Sequence, residues 1–478
     1  MFEPLWTWLA SWFEPVAVRK VFGGAKWSDE AETLDGTGKR EGIYVGLFPH
    51  RVRGRDVFEK MHFTGDGHAL TVGPSRDGKA VGVLIPGALT NTDSMFCVET
   101  KGEIAAITAR RRREMGHEVY YLNPFGLNAG PPYFQGQHGF NPLKRLDPDS
   151  DTFTSEVETI CSALIVSDSQ ESQHWAEGAK GLIGGLITEE VLRPVGNVPS
   201  LAVVRRYLTM AEDAFETTMK NIVATTDHPL VRDRLTPFTS LTNEKRSLIS
   251  TGRVQTSFLS DPCIVRALEQ NDYDPADYKR KKMTVFAMLP SRMVGRDRTF
   301  NRYLRVMLSA TLDAMTATPK QSERPVWVLL DDCYSLGALP VVERMMSEGA
   351  AFGIALHPVI QNLGQLKQLY GNNWETFIAN SAVRMWGAPK DWLTAEYLSK
   401  LLGQYTAHTQ TVNARNELSI GETGRPLMRP EELMSMDSTQ LIAMVRGCAQ
   451  PLMMARLPYY DPRMGLQGMY DPNPFHIG

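Results

Sequence analysis

Residues 68–89 read HALTVGPSRDGKAVGVLIPGAL. The stretch opens as a short apolar strand, turns through a glycine-rich loop and continues into a helix; Gly73, Gly78 and Lys79 satisfy the spacing GxxxxGK. Glycines free such a loop to aim successive backbone N–H groups at a phosphate chain, while the lysine and the helix N-terminus add positive charge. Gly73, Pro74, Ser75, Arg76, Asp77, Gly78, Lys79 and Ala80 therefore form the expected nucleotide cradle. Two of them depart from its usual chemistry. Ala80 stands where a Ser or Thr hydroxyl would reach Mg2+, and Asp77 brings a negative charge into the loop.

The chain has 478 residues, room for about three domains or for one large α/β core carrying insertions. A net charge of -3 means that any contact with nucleic acid uses a local patch or a pore rather than a basic surface. Cys97, Cys161, Cys263, Cys333 and Cys448 lie far apart with no CxxC pair, which indicates neither a disulfide framework nor a zinc site and suits a reducing cytoplasm. No HExxH or GxSxG occurs, and the ten histidines lack metal-ligand spacing, so metalloprotease and serine-hydrolase chemistry have no motif.

The first 22 residues crowd Leu5, Trp6, Trp8, Leu9, Trp12, Phe13 and Val16 ahead of Arg19 and Lys20. The run is shorter than the about 20 apolar residues of a spanning helix and lacks signal-peptide features. It reads as an amphipathic segment lying either in a membrane interface or against a protein surface. From Gly23 to Met61 glycine and charge dominate, and an irregular lead-in is expected. Beyond the loop, strands at Ser94–Val98 and Glu118–Leu122 flank a helix carrying Arg110 to Arg113, the alternation of βαβ units and a parallel sheet. Four consecutive arginines suit a solvated charge run or a nucleic-acid contact. Between about Thr152 and Ala267 the apolar spacing, as in Val157, Ile160, Cys161, Leu164 and Ile165, is helical, and strand runs are few. Sheet pattern returns at Met283–Leu289, followed by a helix near Arg298–Met315.

The run RPVWVLLDD, Arg324 to Asp332, is the second half of the expected site. A buried strand ending in an acidic pair belongs at the carboxyl edge of a nucleotide-hydrolysing sheet. Asp331 is expected to hold Mg2+ and Asp332 to polarise the attacking water. The strand Phe352–Ile360 ends at Gln361, either a γ-phosphate sensor or the N-terminal residue of the next helix.

Ordered blocks carry a family resemblance. They are GGAKW at Gly23, the loop stretch itself, KGE at Lys101–Glu103, FNPL at Phe140–Leu143, His174-Trp175, RPVWVLLDDCYSLGALPVVERMM from Arg324, QNLGQLKQLYG from Gln361, TAEYLSKLLG from Thr394 and GRPLMRPEELM from Gly424. Together they resemble the TraG-type coupling proteins of type IV secretion and conjugation. The resemblance implies an α/β fold, a RecA-like P-loop NTPase core over 23–151 and 268–478, interrupted by an all-α domain over 152–267. It further implies ATP and Mg2+ as cofactors and a homo- or hetero-hexamer, cytoplasmic but peripheral at the bacterial inner membrane. That assembly would work with inner-membrane components of the secretion system and recruit DNA or relaxase and effector proteins.

Four departures from the family pattern bear on function. The usual transmembrane pair is not seen ahead of GGAKW, so a membrane-anchored partner is an expected substitute. The acidic pair is Asp331-Asp332 rather than Asp-Glu, Glu99-Thr100 precedes KGE where Asp is usual, and Gly349-Ala350-Ala351-Phe352 lacks a basic residue. Arg344 and Arg384 are alternative sources of a trans arginine. Two further readings stand beside the motor: a degenerate nucleotide-binding scaffold working with an active paralogue, and a soluble DNA translocase.

Overall fold

The computed structural model describes residues 23–28, 42–52, 55–133, 136–167, 170–193, 198–294, 299–318, 324–412 and 418–475. The amphipathic segment 1–22 lies outside the described residues. Two compact units divide the chain. One holds the described residues up to Thr92 together with His357–Tyr470; the other holds Asp93–Leu356 and the described residues from Asp471 onward. The chain passes from the second into the first within a single strand.

In chain order the strands are β1 (Ile43–Val52), β2 (Arg55–Phe63) and β3 (His68–Val72) in the first unit. The second unit supplies β4 (Met95–Glu99), β5 (Glu118–Leu122), β6 (Met283–Met288) and β7 (Val326–Leu330). After β8 (Ile354–Ile360), where the crossing falls, the first unit resumes. It continues with β9 (Ser381–Trp386), β10 (Gln404–Val412), β11 (Leu418–Pro426), β12 (Gln440–Val445) and β13 (Leu452–Ala455).

In the first unit β3 runs parallel to both neighbours, with Val72 opposite Ile360 of β8 and opposite Trp386 of β9. Antiparallel strands extend this array in the order β9, β12, β13, β1, β2. The irregular lead-in expected over Gly23–Met61 is therefore overturned, because β1 and most of β2 fall inside it as a hairpin. Ile43, Tyr44, Val45, Leu47 and Phe48 are all buried. Gly46, which argued for irregularity, sits at a bulge with φ of 154° and packs its backbone against Met454. A side chain there would meet Met454 Cβ at 3.2 Å. Gly23 is required for a similar reason: a Cβ would collide with the Gln404 carbonyl oxygen of β10, to which Ala25 donates at 3.0 Å.

In the second unit β5, β6, β4 and β7 are parallel throughout. Every residue of β4, β6 and β7 is buried, which is why they read as continuous apolar runs rather than alternating ones. Between Phe153 and Glu269 the described elements are all helical, from Phe153–Leu164 and Gln170–Val191 to Asn243–Gln255 and Pro262–Glu269. Capping side chains start several of them: Ser200 accepts from Ala202 N–H, Thr242 from Lys245 N–H, and Asp261 from Cys263 and Ile264.

The arginine run also departs from expectation. On the helix Glu103–Glu114, Arg110 and Arg111 are part-exposed and pair with Glu114, and Arg113 donates to the Tyr121 hydroxyl at 2.7 Å. Arg112 is fully buried, donating to Thr284 Oγ1 at 2.9 Å and to the Asp93 carbonyl. One of the four is a core residue, so the run is neither uniformly solvated nor a basic face.

Candidate functional site

The loop after β3 is built on a fully buried strand, whose Thr71 hydroxyl meets His357 Nε2 at 2.7 Å. Burial pushes His357 down to about 3, so the pair is neutral at physiological pH. The loop mouth is fixed from both sides, since Gly73 N–H donates to the Ile360 carbonyl at 3.1 Å and Gly387 N–H to the Val72 carbonyl at 2.8 Å. Arg76 with φ of 61° and Gly78 with φ of 88° turn the chain back, and the side chains of Ser75 and Arg76 are exposed. From Ala80 to Leu84 the backbone makes a π-type turn before the helix Ile85–Thr90. The Val81 carbonyl accepts from Tyr459 N–H at 2.8 Å, an outside partner of the kind that loosens a helical ladder.

Two charged groups define the loop's electrostatics. Lys79 folds its ammonium back onto the Gly73 carbonyl and onto the Pro74 carbonyl at 2.6 Å. Asp77 points inward and is met by Arg456, which follows β13, through two bonds of 2.7 and 2.8 Å. The acid that looked out of place in a phosphate loop is thus held by a cation. Arg456 was missed by the sequence reading, although a lone arginine after the apolar run Leu452–Ala455 is the available signal. The donor set of residues 73–80, with an ammonium and backbone N–H groups at a helix start, fits a polyphosphate. Ala80 supplies no oxygen to a metal.

Gln361 follows β8 in the same unit, one residue beyond the carbonyl that holds Gly73. It is exposed; its N–H donates to Gln365 Oε1 at 2.8 Å, while Asn362 caps the helix Leu363–Tyr370. The structure places Gln361 next to the strand end that holds the loop and one residue ahead of the Asn362 cap.

The acidic pair lies in the second unit. Asp331 N–H donates to the Val98 carbonyl at 3.0 Å, extending β7 along β4. Asp332 is left-handed, with φ of 57° and ψ of 53°, and opens a 3-10 turn over Cys333–Leu336. Both carboxylates are part-exposed. Arg305 anchors the chain at the end of this turn, donating to the Leu336 carbonyl at 2.6 Å and to the Ala338 carbonyl at 2.9 Å. The same guanidinium reaches the Ala163 carbonyl at 2.9 Å, at the end of the helix Phe153–Leu164.

Glu99, at the tip of β4, accepts from the Ile104 and Ala105 N–H groups at 2.9 Å each, holding the start of the helix Glu103–Glu114. Burial, with a smaller contribution from Asp331, pushes its carboxyl up to about 8. The folded state therefore keeps a proton that the unfolded chain loses above about 4.5. The stability it contributes is full below that value and fades as pH rises through 8. In Glu99→Gln this dependence is absent, and one N–H loses an acceptor, at a cost of about 1–3 kcal/mol. Urea unfolding at pH 5, 7 and 8.5 should show wild type ahead at pH 5 and the gap closing as pH rises; a constant gap would mean that Glu99 stays ionised.

Of the alternative arginines, Arg384 lies half-buried on β9, its guanidinium held below its ordinary value by burial. Arg344 lines a cleft of about 210 Å3 with Glu158, Thr159 and Ser309. Among the described residues no group of three or more His, Cys, Asp or Glu could hold a metal, and no helix is long and apolar enough to cross a membrane.

Strand, phosphate-type loop, helix and an acid-tipped strand are the parts of a P-loop nucleotide fold, and comparison with known proteins agrees. The family described as "Type IV secretory system Conjugative DNA transfer" matches residues 16–473, and the chain belongs to it. Protein VirD4 of Agrobacterium fabrum (strain C58) is 26% identical over 412 residues, covering 83% of this chain and 59% of that protein. The conjugal transfer protein TraG of Escherichia coli is 24% identical over 426 residues, covering 83% and 65%. The chain thus spans about three fifths of the length of these relatives. Among solved structures, the conjugative coupling protein TrwBdeltaN70 in an unbound form superposes with a TM-score of 0.68 at 15% identity, covering 93% of this chain and 95% of that one. TrwB in complex with ADP and Mg2+ gives the same TM-score, covering 93% and 96%. The fold is that of these coupling proteins: a RecA-like P-loop α/β core with a largely parallel sheet.

Proposed function

We propose that this chain is a coupling protein of a type IV secretion or conjugation system, binding ATP on residues 73–80 and recruiting DNA or protein substrates. The carrying observation is the loop itself, a glycine-hinged turn with an inward acid already neutralised, on a chain that belongs to the conjugative DNA-transfer family. Backbone N–H groups and Lys79 would bind the phosphates, Asp331 would contribute to Mg2+, Asp332 would orient water, and Gln361 would report the γ-phosphate. Bound Mg2+ would supply charge neutralisation on the phosphate oxygens, with ligands drawn mostly from phosphate and water. The missing hydroxyl at Ala80 favours a weak ATPase, helped by a partner or a paralogue. Residues 152–267 would form the all-α domain that meets cargo, in a hexamer docked on inner-membrane components of the secretion system. Removal of the gene from a host carrying the system should abolish transfer, with recovery on complementation. Transfer at the parental frequency without it would reject the reading.

A further inference from the structure

The pair formed by Asp77 and Arg456 is more elaborately built than a surface contact. The two side chains are 4% and 2% exposed, and their bonds are parallel and bidentate, the geometry in which guanidinium and carboxylate bind best. The remaining donors of Arg456 reach the Ser438 carbonyl at 2.6 and 3.1 Å. Glycines from three places keep the slot open. A Cβ on Gly73 or on Gly387 would collide with Asp77 Oδ2, and one on Gly82 would lie 2.5 Å from Arg456 Cγ.

A carboxylate inside a phosphate cradle repels the ligand unless its charge is cancelled where it stands. We propose that Arg456 acts on the nucleotide loop through Asp77: it cancels the carboxylate's charge inside the cradle, which would otherwise repel the phosphates. The proposal rests on the nucleotide reading above. The segment after β13 then contributes to the nucleotide site electrostatically, through Asp77.

The test is titration with ATP and Mg2+ of wild type, Arg456→Met, Asp77→Asn and the double variant, with thermal melts to confirm folding. Charge cancellation predicts an asymmetric result. Arg456→Met leaves a bare acid and should bind about tenfold more weakly or worse, Asp77→Asn leaves a cation and should bind at least about tenfold more tightly than Arg456→Met, and the double variant, with neither charge, should recover to within about threefold of wild type. Equal losses in the two single variants, or wild-type affinity in Arg456→Met, overturn the proposal. Breaking one side of a buried pair is costly, so Arg456→Met can fail to fold. The double variant then decides, and tenfold weaker binding by it overturns the proposal. If the wild-type chain binds no ATP at millimolar concentration, the nucleotide reading falls and takes this inference with it; binding by wild type with either failing pattern removes the inference alone.

Discussion

Lys79→Ala lowers ATP affinity by about 10- to 100-fold, the range in which one charge-assisted contact to a polyphosphate falls. The structure sets why the loss is bounded. The Lys79 ammonium rests on the Gly73 and Pro74 carbonyls, so binding exchanges those bonds for phosphate oxygens rather than creating a contact from nothing. Removing the side chain leaves the backbone N–H groups at the helix start and the Asp77–Arg456 pair. Residual binding in the mutant is therefore expected, in contrast to a site in which the lysine does all the work. Calorimetric titration with ATP and Mg2+ measures the change. An affinity equal to wild type would make residues 73–80 a structural turn and remove the nucleotide site.

What the sequence disclosed of this arrangement was local. β3, β4, β6 and β7 were legible because strands buried on both faces are largely apolar runs, and Gly73, Glu99, Pro290 and Asp331 mark where they stop. The β1–β2 hairpin was not, because Gly42 and Gly46 and the charged residues of β2 mimic a loop, whereas the burial that holds β1 comes from β13, far along the chain. Arg456 was hidden for the same reason, lying 379 positions from Asp77, so Asp77 alone looked like a defect. The π-type turn at Ala80–Leu84 likewise receives Tyr459 N–H on its Val81 carbonyl, a donor no local pattern announces. Four adjacent arginines were indistinguishable in sequence, and only the position of Thr284 and the Asp93 carbonyl decides that Arg112 is the buried one.

Hydrolysis by the purified chain alone should be slow, below about 1 s⁻¹, and should rise by up to about 10³- to 10⁵-fold when a partner completes the site. On the proposed reading, three features would act on a transferring phosphoryl group. Ala80 offers no hydroxyl to a bound Mg2+, so water would fill that position and the metal would be held less rigidly. Asp332 is one methylene shorter than the glutamate usual in the family, and its backbone is committed to a left-handed turn whose carbonyl accepts from Ser335 N–H and Oγ at 3.0 and 2.8 Å. Gly349, Ala350, Ala351 and Phe352 make a short 3-10 turn before β8 that offers no cation, so the contribution of a trans arginine, the largest of the three, has to come from elsewhere. Arg384 is half-buried on its strand, whereas Arg344 is exposed beside a cleft that Glu158 also lines, which makes Arg344 the better placed of the two. Binding survives these losses because the loop and Lys79 act on the ground state, whereas the missing groups act on charge that develops during transfer. Steady-state phosphate release, with and without DNA and a secretion-system partner, reads the prediction directly. A turnover above about 1 s⁻¹ from the chain alone, abolished by Lys79→Ala, would show that the site is complete without Ala80, Asp332 or a finger being repaired.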